Sequence, residues 1–95
     1  MYKNQIQQLC ENHKVKSLYS FGSVNTDRFT SSSDVDLMVD FITSDPLEYS
    51  DNYFDLKFDL EKTLNRSIDL LENKAIRNPF LRETIEKSKV LIYGQ

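Results

Sequence analysis

Ninety-five residues, 39% apolar and 28% charged, are enough for one small core and exclude a disordered chain. No apolar run approaches the roughly 20 residues of a membrane span, and no signal-peptide pattern opens the chain. A net charge of −3 and a pI near 5.0 argue against a broad nucleic-acid surface, which would be basic, and a single cysteine, Cys10, rules out an internal disulfide. With no zinc-like Cys/His spacing either, a reducing cytoplasm is the expected compartment.

No repeat, low-complexity tract or Pro/Gly-rich linker interrupts residues 1–95, which read as a single domain. Tyr2, Ile6, Leu9, Cys10 and His13 recur at helical spacing and predict an amphipathic helix over 2–14. Val15 to Phe21 is short, rich in aromatic and β-branched residues, and stops at Gly22, as a strand would. The next stretch, to Ser33, is a polar loop. From Asp34 to Phe41 the alternation is strict: Val35, Leu37, Val39 and Phe41 point one way, and Asp34, Asp36, Met38 and Asp40 the other. Ser44-Asp45-Pro46 ends that strand.

Residues 50–65 fit two periods. Phe54, Leu56, Phe58 and Leu60 alternate as in a strand, while Tyr53, Leu56, Leu60 and Leu64 keep helical spacing. Length, Ser50 or Asp51 as N-cap, and a body of Leu, Lys, Glu and Asp favour the helix. Ser67 to Leu71 is a short strand. Asn78-Pro79 opens a helix that runs to about Ser88, and Val90 to Tyr93 forms a last strand. The order αβ(loop)βαβαβ predicts an α/β (α+β) fold, a mixed β-sheet with helices packed on it.

The second strand carries the chemistry. If its apolar face lies in the core, Asp34 and Asp36 stand together on the other, roughly 6–7 Å apart along the strand. Like charges at that range oppose folding unless a cation offsets them. Magnesium suits such a site, because it takes oxygen ligands and is shared between carboxylates and substrate phosphates. Asp69 adds a third carboxylate if its strand lies next to Asp36. Gly22-Ser23 ends the preceding strand, where backbone amides and the Ser23 hydroxyl can donate to phosphate oxygens.

Phe21-Gly22-Ser23, ten intervening residues and Asp34-Val35-Asp36-Leu37 resemble the hG[GS]–x–DhD signature of the DNA polymerase beta-type nucleotidyltransferases. The likeness is to their minimal members, and the acid in Ser67-Ile68-Asp69-Leu70-Leu71 and the closing Val90-Leu91-Ile92-Tyr93-Gly94 extend it over almost the whole chain. This resemblance implies a polymerase-beta-like palm that binds ATP or another NTP and two Mg²⁺ ions, for which Mn²⁺ can substitute. It implies that Gly22 and Ser23 hold the β- and γ-phosphates, that Asp34 and Asp36 bind metal, and that Asp69 binds the ion that activates an incoming hydroxyl. It implies transfer of a nucleoside monophosphate with release of pyrophosphate. Minimal members often act as antitoxins paired with an all-helical HEPN toxin, some by adenylylating it. Many also carry an Ala-Arg-Gly run after the Gly-Ser, where this chain has Asn25-Thr26-Asp27 followed by Arg28. Arg28 is accordingly either a phosphate contact or a surface residue.

So small a chain is expected to borrow its acceptor surface from a partner protein or from another copy of itself. The competing expectation is a binding module, a palm that masks a toxin without transfer. Of the other polar residues, Asp40, Lys87 and Lys89 are expected to be solvated. His13 is expected to be half-buried or capping, and Cys10 to lie in the core. Tyr49, Tyr53 and Phe54 belong to a mostly buried segment that also offers a partner interface.

Overall fold

A computed structural model describes residues 3–21, 35–43 and 45–94. The elements run α1 (Lys3–Asn12), β1 (Val15–Phe21), β2 (Val35–Phe41), α2 (Pro46–Leu64), β3 (Ile68–Glu72), α3 (Pro79–Ser88) and β4 (Val90–Gly94). A short 3-10 turn at Asn73–Ala75 follows β3. The sheet order is β3-β2-β1-β4, with β1 antiparallel to β2 and β4, and β2 parallel to β3. The sheet is therefore mixed, and α2 is the crossover that the parallel pair requires.

Period-two patterning decides the faces. Val35, Leu37, Val39 and Phe41 of β2, with Leu18, Ile68 and Leu70, form one core that Cys10 of α1 and Leu56 and Leu60 of α2 cover. The opposite face is not open, as the alternation alone suggested. Met38 is 3% exposed there and packs with Phe21 and Ile85 of α3. A single helix thus closes the middle of the second face and leaves the strand ends for polar groups.

Two helix starts have the same chemistry, and only one was read from the sequence. Asn78 Oδ1 accepts from the amides of Phe80 and Leu81, with Pro79 following. Asp45 does the same for Leu47 and Glu48, with Pro46 following, so α2 begins there rather than at Ser50 or Asp51. The cap-then-proline pattern satisfies orphan amides and pre-sets φ. At Ser44-Asp45-Pro46 it marks a helix start as well as a strand end. The far end of α2 closes on Asn65, left-handed at φ 53°, and Ile68 N–H donates to Glu61 Oε2 (3.1 Å), which sets where β3 begins. Gly94 closes β4 at φ +86°, and a Cβ there would lie 2.0 Å from the Lys16 carbonyl oxygen. Only glycine lets β4 approach β1 at that point.

Side-chain links join several of the described elements. His13 Nε2 lies 2.9 Å from Asp59 Oδ2 and joins the end of α1 to α2. Lys89 is not simply solvated: it lies over the Tyr19 ring, 4.7 Å from its centre, and pairs with Glu86. Lys87 pairs with Glu83 on the surface. Arg82, unremarked in the sequence, forks into the turn after β3. Its Nη1 donates to Asn73 Oδ1 (2.7 Å) and its Nη2 to the Asn73 carbonyl (2.8 Å) and that of Ile76 (3.4 Å).

Arg82→Ala removes these charge-assisted bonds and should destabilise the protein by about 1.5–3 kcal/mol in urea unfolding. Arg82→Lys should recover less than half, because an ammonium cannot reproduce the planar fork. A lysine variant as stable as wild type would show that charge alone suffices.

Cys10 makes a separate prediction. Burial, aided by the Glu11 charge, pushes its thiol from 9.0 up to about 12. The unfolded chain then releases this proton first, so stability should fall as pH rises from about 9 towards 12. Cys10→Ala should lack that component of the slope. Identical pH profiles for the two proteins would contradict it.

Candidate active site

The site is built from the strand register. In the parallel pair, Asp36 of β2 is directly opposite Asp69 of β3. Partners in register project to the same face, here the one that carries Met38 and Leu71, with backbones about 4.8 Å apart. On the other side of β2, Asp36 is paired with Phe21 of β1. Phe21, Asp36 and Asp69 therefore form one row across three strands, at the C-terminal end of β1 and the N-terminal ends of β2 and β3. Asp36 is half-buried and Asp69 exposed.

The backbone fixes this row. The pairing opens with the Val35 amide on the Ser67 carbonyl (3.0 Å), one residue before Asp36 and two before Asp69. Tyr53 of α2 locks the far face of β3, its hydroxyl donating to the Leu70 carbonyl at 2.6 Å. Burial first, then the charges of Glu72 and Asp69, raise the Tyr53 phenol above its usual 10.0, which keeps it a donor.

Gly22, Ser23, Arg28 and Asp34 lie outside the described residues, so of the expected set the structure places Asp36 and Asp69. Among the described residues, no three His, Cys, Asp or Glu side chains converge as metal ligands. The described acids are a pair. Gly22 does follow Phe21 directly in the chain, and Phe21 is the strand partner of Asp36. Asp40, expected in solvent, is half-buried, and its Oδ1 is buried without a partner among the described residues. Tyr49 and Tyr53 turn inward, Tyr49 edge-on to Phe41 at 4.8 Å, whereas Phe54 is 64% exposed.

Sequence reasoning missed two features that shape the site, the α3 cover over Met38 and the Arg82 fork. Ile85 at helical spacing from Leu81 was a legible sign of an inward α3 face. Nothing local marked Arg82.

Comparison with known proteins identifies the family. Residues 4–95 match the family described as Polymerase beta, Nucleotidyltransferase. Two candidate protein adenylyltransferases of Methanocaldococcus jannaschii are similar to the chain. One is 36% identical over 84 residues, 88% of this chain and 83% of the relative; the other is 35% identical over 85 residues, with the same coverages. Among solved structures, a candidate minimal nucleotidyltransferase superposes with a TM-score of 0.75 at 27% identity, over 93% of this chain and 86% of that one. A toxin–antitoxin complex with AMP-PNP superposes at 0.76 and 21% identity, over 100% and 75%, and shares the fold. An MNT antitoxin in complex with a tri-AMPylated HEPN toxin of Shewanella oneidensis does so at 0.66 and 21%, over 98% and 70%. With a mixed sheet of this order and a matching family profile over nearly its whole length, the chain belongs to the polymerase beta-type nucleotidyltransferases.

Proposed function

We propose that this protein transfers AMP from ATP to a hydroxyl of a partner protein, with divalent metal, in the reducing cytoplasm where Cys10 stays a thiol. The observation that carries the reading is the register of Asp36 against Asp69 beside the end of β1. The relatives named as protein adenylyltransferases and the antitoxin complexes that hold AMP-PNP or an AMPylated toxin support the nucleotide and the kind of acceptor.

The donor set fits a hard divalent ion. It offers carboxylate oxygens side by side, with Cys10 in the opposite core and His13 engaged by Asp59. Asp36 and Asp69, with Asp34 from the sequence, would hold Mg²⁺ or Mn²⁺, which supplies charge neutralisation for the phosphates. Gly22 and Ser23 hold the triphosphate, with Arg28 as a further cation. Asp69, on the outer strand, orients the acceptor hydroxyl and takes its proton. The acceptor oxygen bonds to the α-phosphorus as the bond to the β-phosphate bridge breaks, and pyrophosphate leaves.

One observation favours a second reading, the binding module. Leu47, Phe54 and Phe58 lie along the outward face of α2 at 80%, 64% and 66% exposure. Around them, Glu48, Asp51, Asp55, Asp59 and Glu61 outnumber Lys57 and Lys62. An apolar, basic-rimmed partner bound there would be neutralised without turnover.

Two substitutions test the site. Asp36→Asn should abolish the Mn²⁺-dependent rise in Tm with ATP, while the metal-free protein stays folded. A metal-free melt well below wild type would make Asp36 structural. Asp69→Asn should bind Mg-ATP within a few-fold of wild type but transfer label from α-³²P-ATP at least about a hundredfold more slowly, because the lost interaction belongs to the transition state. Wild-type protein that labels no partner, while Asp69→Asn still neutralises that partner, would establish the binding module instead.

A further inference from the structure

On the reading above, displacement at the α-phosphorus is in line, so the leaving group and the entering hydroxyl lie on opposite sides of it. Strand order turns that requirement into a direction. Phe21, Asp36 and Asp69 stand in a row across β1, β2 and β3, and the phosphate-holding Gly22 follows Phe21 in the chain. Pyrophosphate therefore departs over β1, and the acceptor enters over β3, past Asp69.

A hollow of about 340 Å³ opens on that side, between the end of β3, the turn after it and the first turn of α3. Leu71, Ala75, Ile76 and Leu81 line it, and Arg77 and Glu72 provide its charges. Leu71 shares the strand face of Asp69 and lies about 7 Å further along. The Arg82 fork fixes the turn that makes one wall. Phe80, 80% exposed, extends the apolar surface beside Leu81. Arg77 is exposed and has no hydrogen bond or ion pair among the described residues. Glu72 lines the hollow beside Arg77, and its charge also reaches α2, where it adds to burial in raising the Tyr49 and Tyr53 phenols.

We propose that this hollow is an acceptor subsite. It seats an apolar side chain of the partner polypeptide, places an adjacent carboxylate on Arg77, and so presents the neighbouring hydroxyl to Asp69. An apolar lining with one unengaged guanidinium suits a peptide of that composition. A nucleic-acid acceptor would call for several cations here.

Two labelled synthetic peptides test it, each with a single tyrosine, one followed by Leu-Glu and the other by Gly-Lys. Their binding to the full chain is read by fluorescence anisotropy with Mn²⁺ and AMP-PNP. The Leu-Glu peptide should bind at least about tenfold more tightly, roughly 1.4 kcal/mol. Arg77→Glu should reverse the charge preference, and Leu81→Asp should weaken the Leu-Glu peptide by a similar factor. AMP-PNP affinity should stay within about twofold in both variants. Arg77 is exposed and makes no hydrogen bond or ion pair among the described residues, so its replacement should leave the fold intact. Equal binding of the two peptides, or a preference that survives Arg77→Glu, would overturn the subsite. So would a parallel loss of AMP-PNP affinity, which would put the nucleotide in the hollow. Transfer of α-³²P label, measured alongside, separates the two readings. A peptide preference without transfer refutes the activity and upholds the subsite; transfer without preference does the reverse.

Discussion

Asp36 and Asp69 are held side by side by the backbone hydrogen bonds of a parallel strand pair. The parallel pairing of β2 and β3 fixes their register, and the large apolar residues between them fix the face. A slip of β3 by one residue would turn Asp69 into the core and expose Ile68 and Leu70, which no core of this size could tolerate. The hydrophobic pattern thus sets two acidic residues opposite each other. The supports around it follow the same logic: the Asn65 turn, the Glu61 cap on Ile68 and the Tyr53 tether to Leu70 all set the position of β3.

Much of this was legible because period-two alternation is unambiguous over seven residues. Val35 to Phe41 declared its two faces, and Ile68-Asp69-Leu70 repeated the pattern in miniature. Adjacency was the step the sequence left conditional, since it depends on a crossover whose far end is chosen by long-range packing. Met38 shows the limit of pattern reading. A methionine among aspartates looks like a tolerated surface apolar group, but its burial depends on α3, a helix some forty residues later in the chain. The start of α2 was misplaced because proline after Asp45 carries two meanings, ending a strand and opening a helix. Gly22, Ser23, Arg28 and Asp34 rest on the motif alone.

The two faces of the sheet are unequal in build. One carries two helices over a continuous apolar layer, and the other carries α3 over Phe21, Met38 and Ile85. A layer that thin owes its place partly to polar links: the Arg82 fork at one end and the Lys89 contact with Tyr19 at the other.

That inequality should make α3 the first helix to open on its own. Its opening exposes a small apolar area while the sheet and the α1–α2 layer stay intact, so its free energy lies below that of global unfolding. Amide protons in α3 then exchange through a local event, whereas those of β1 and β2 await the whole. Such an opening would wet Met38 and carry off one wall beside the acids. The second face is therefore where a bound molecule gains most by holding the protein still.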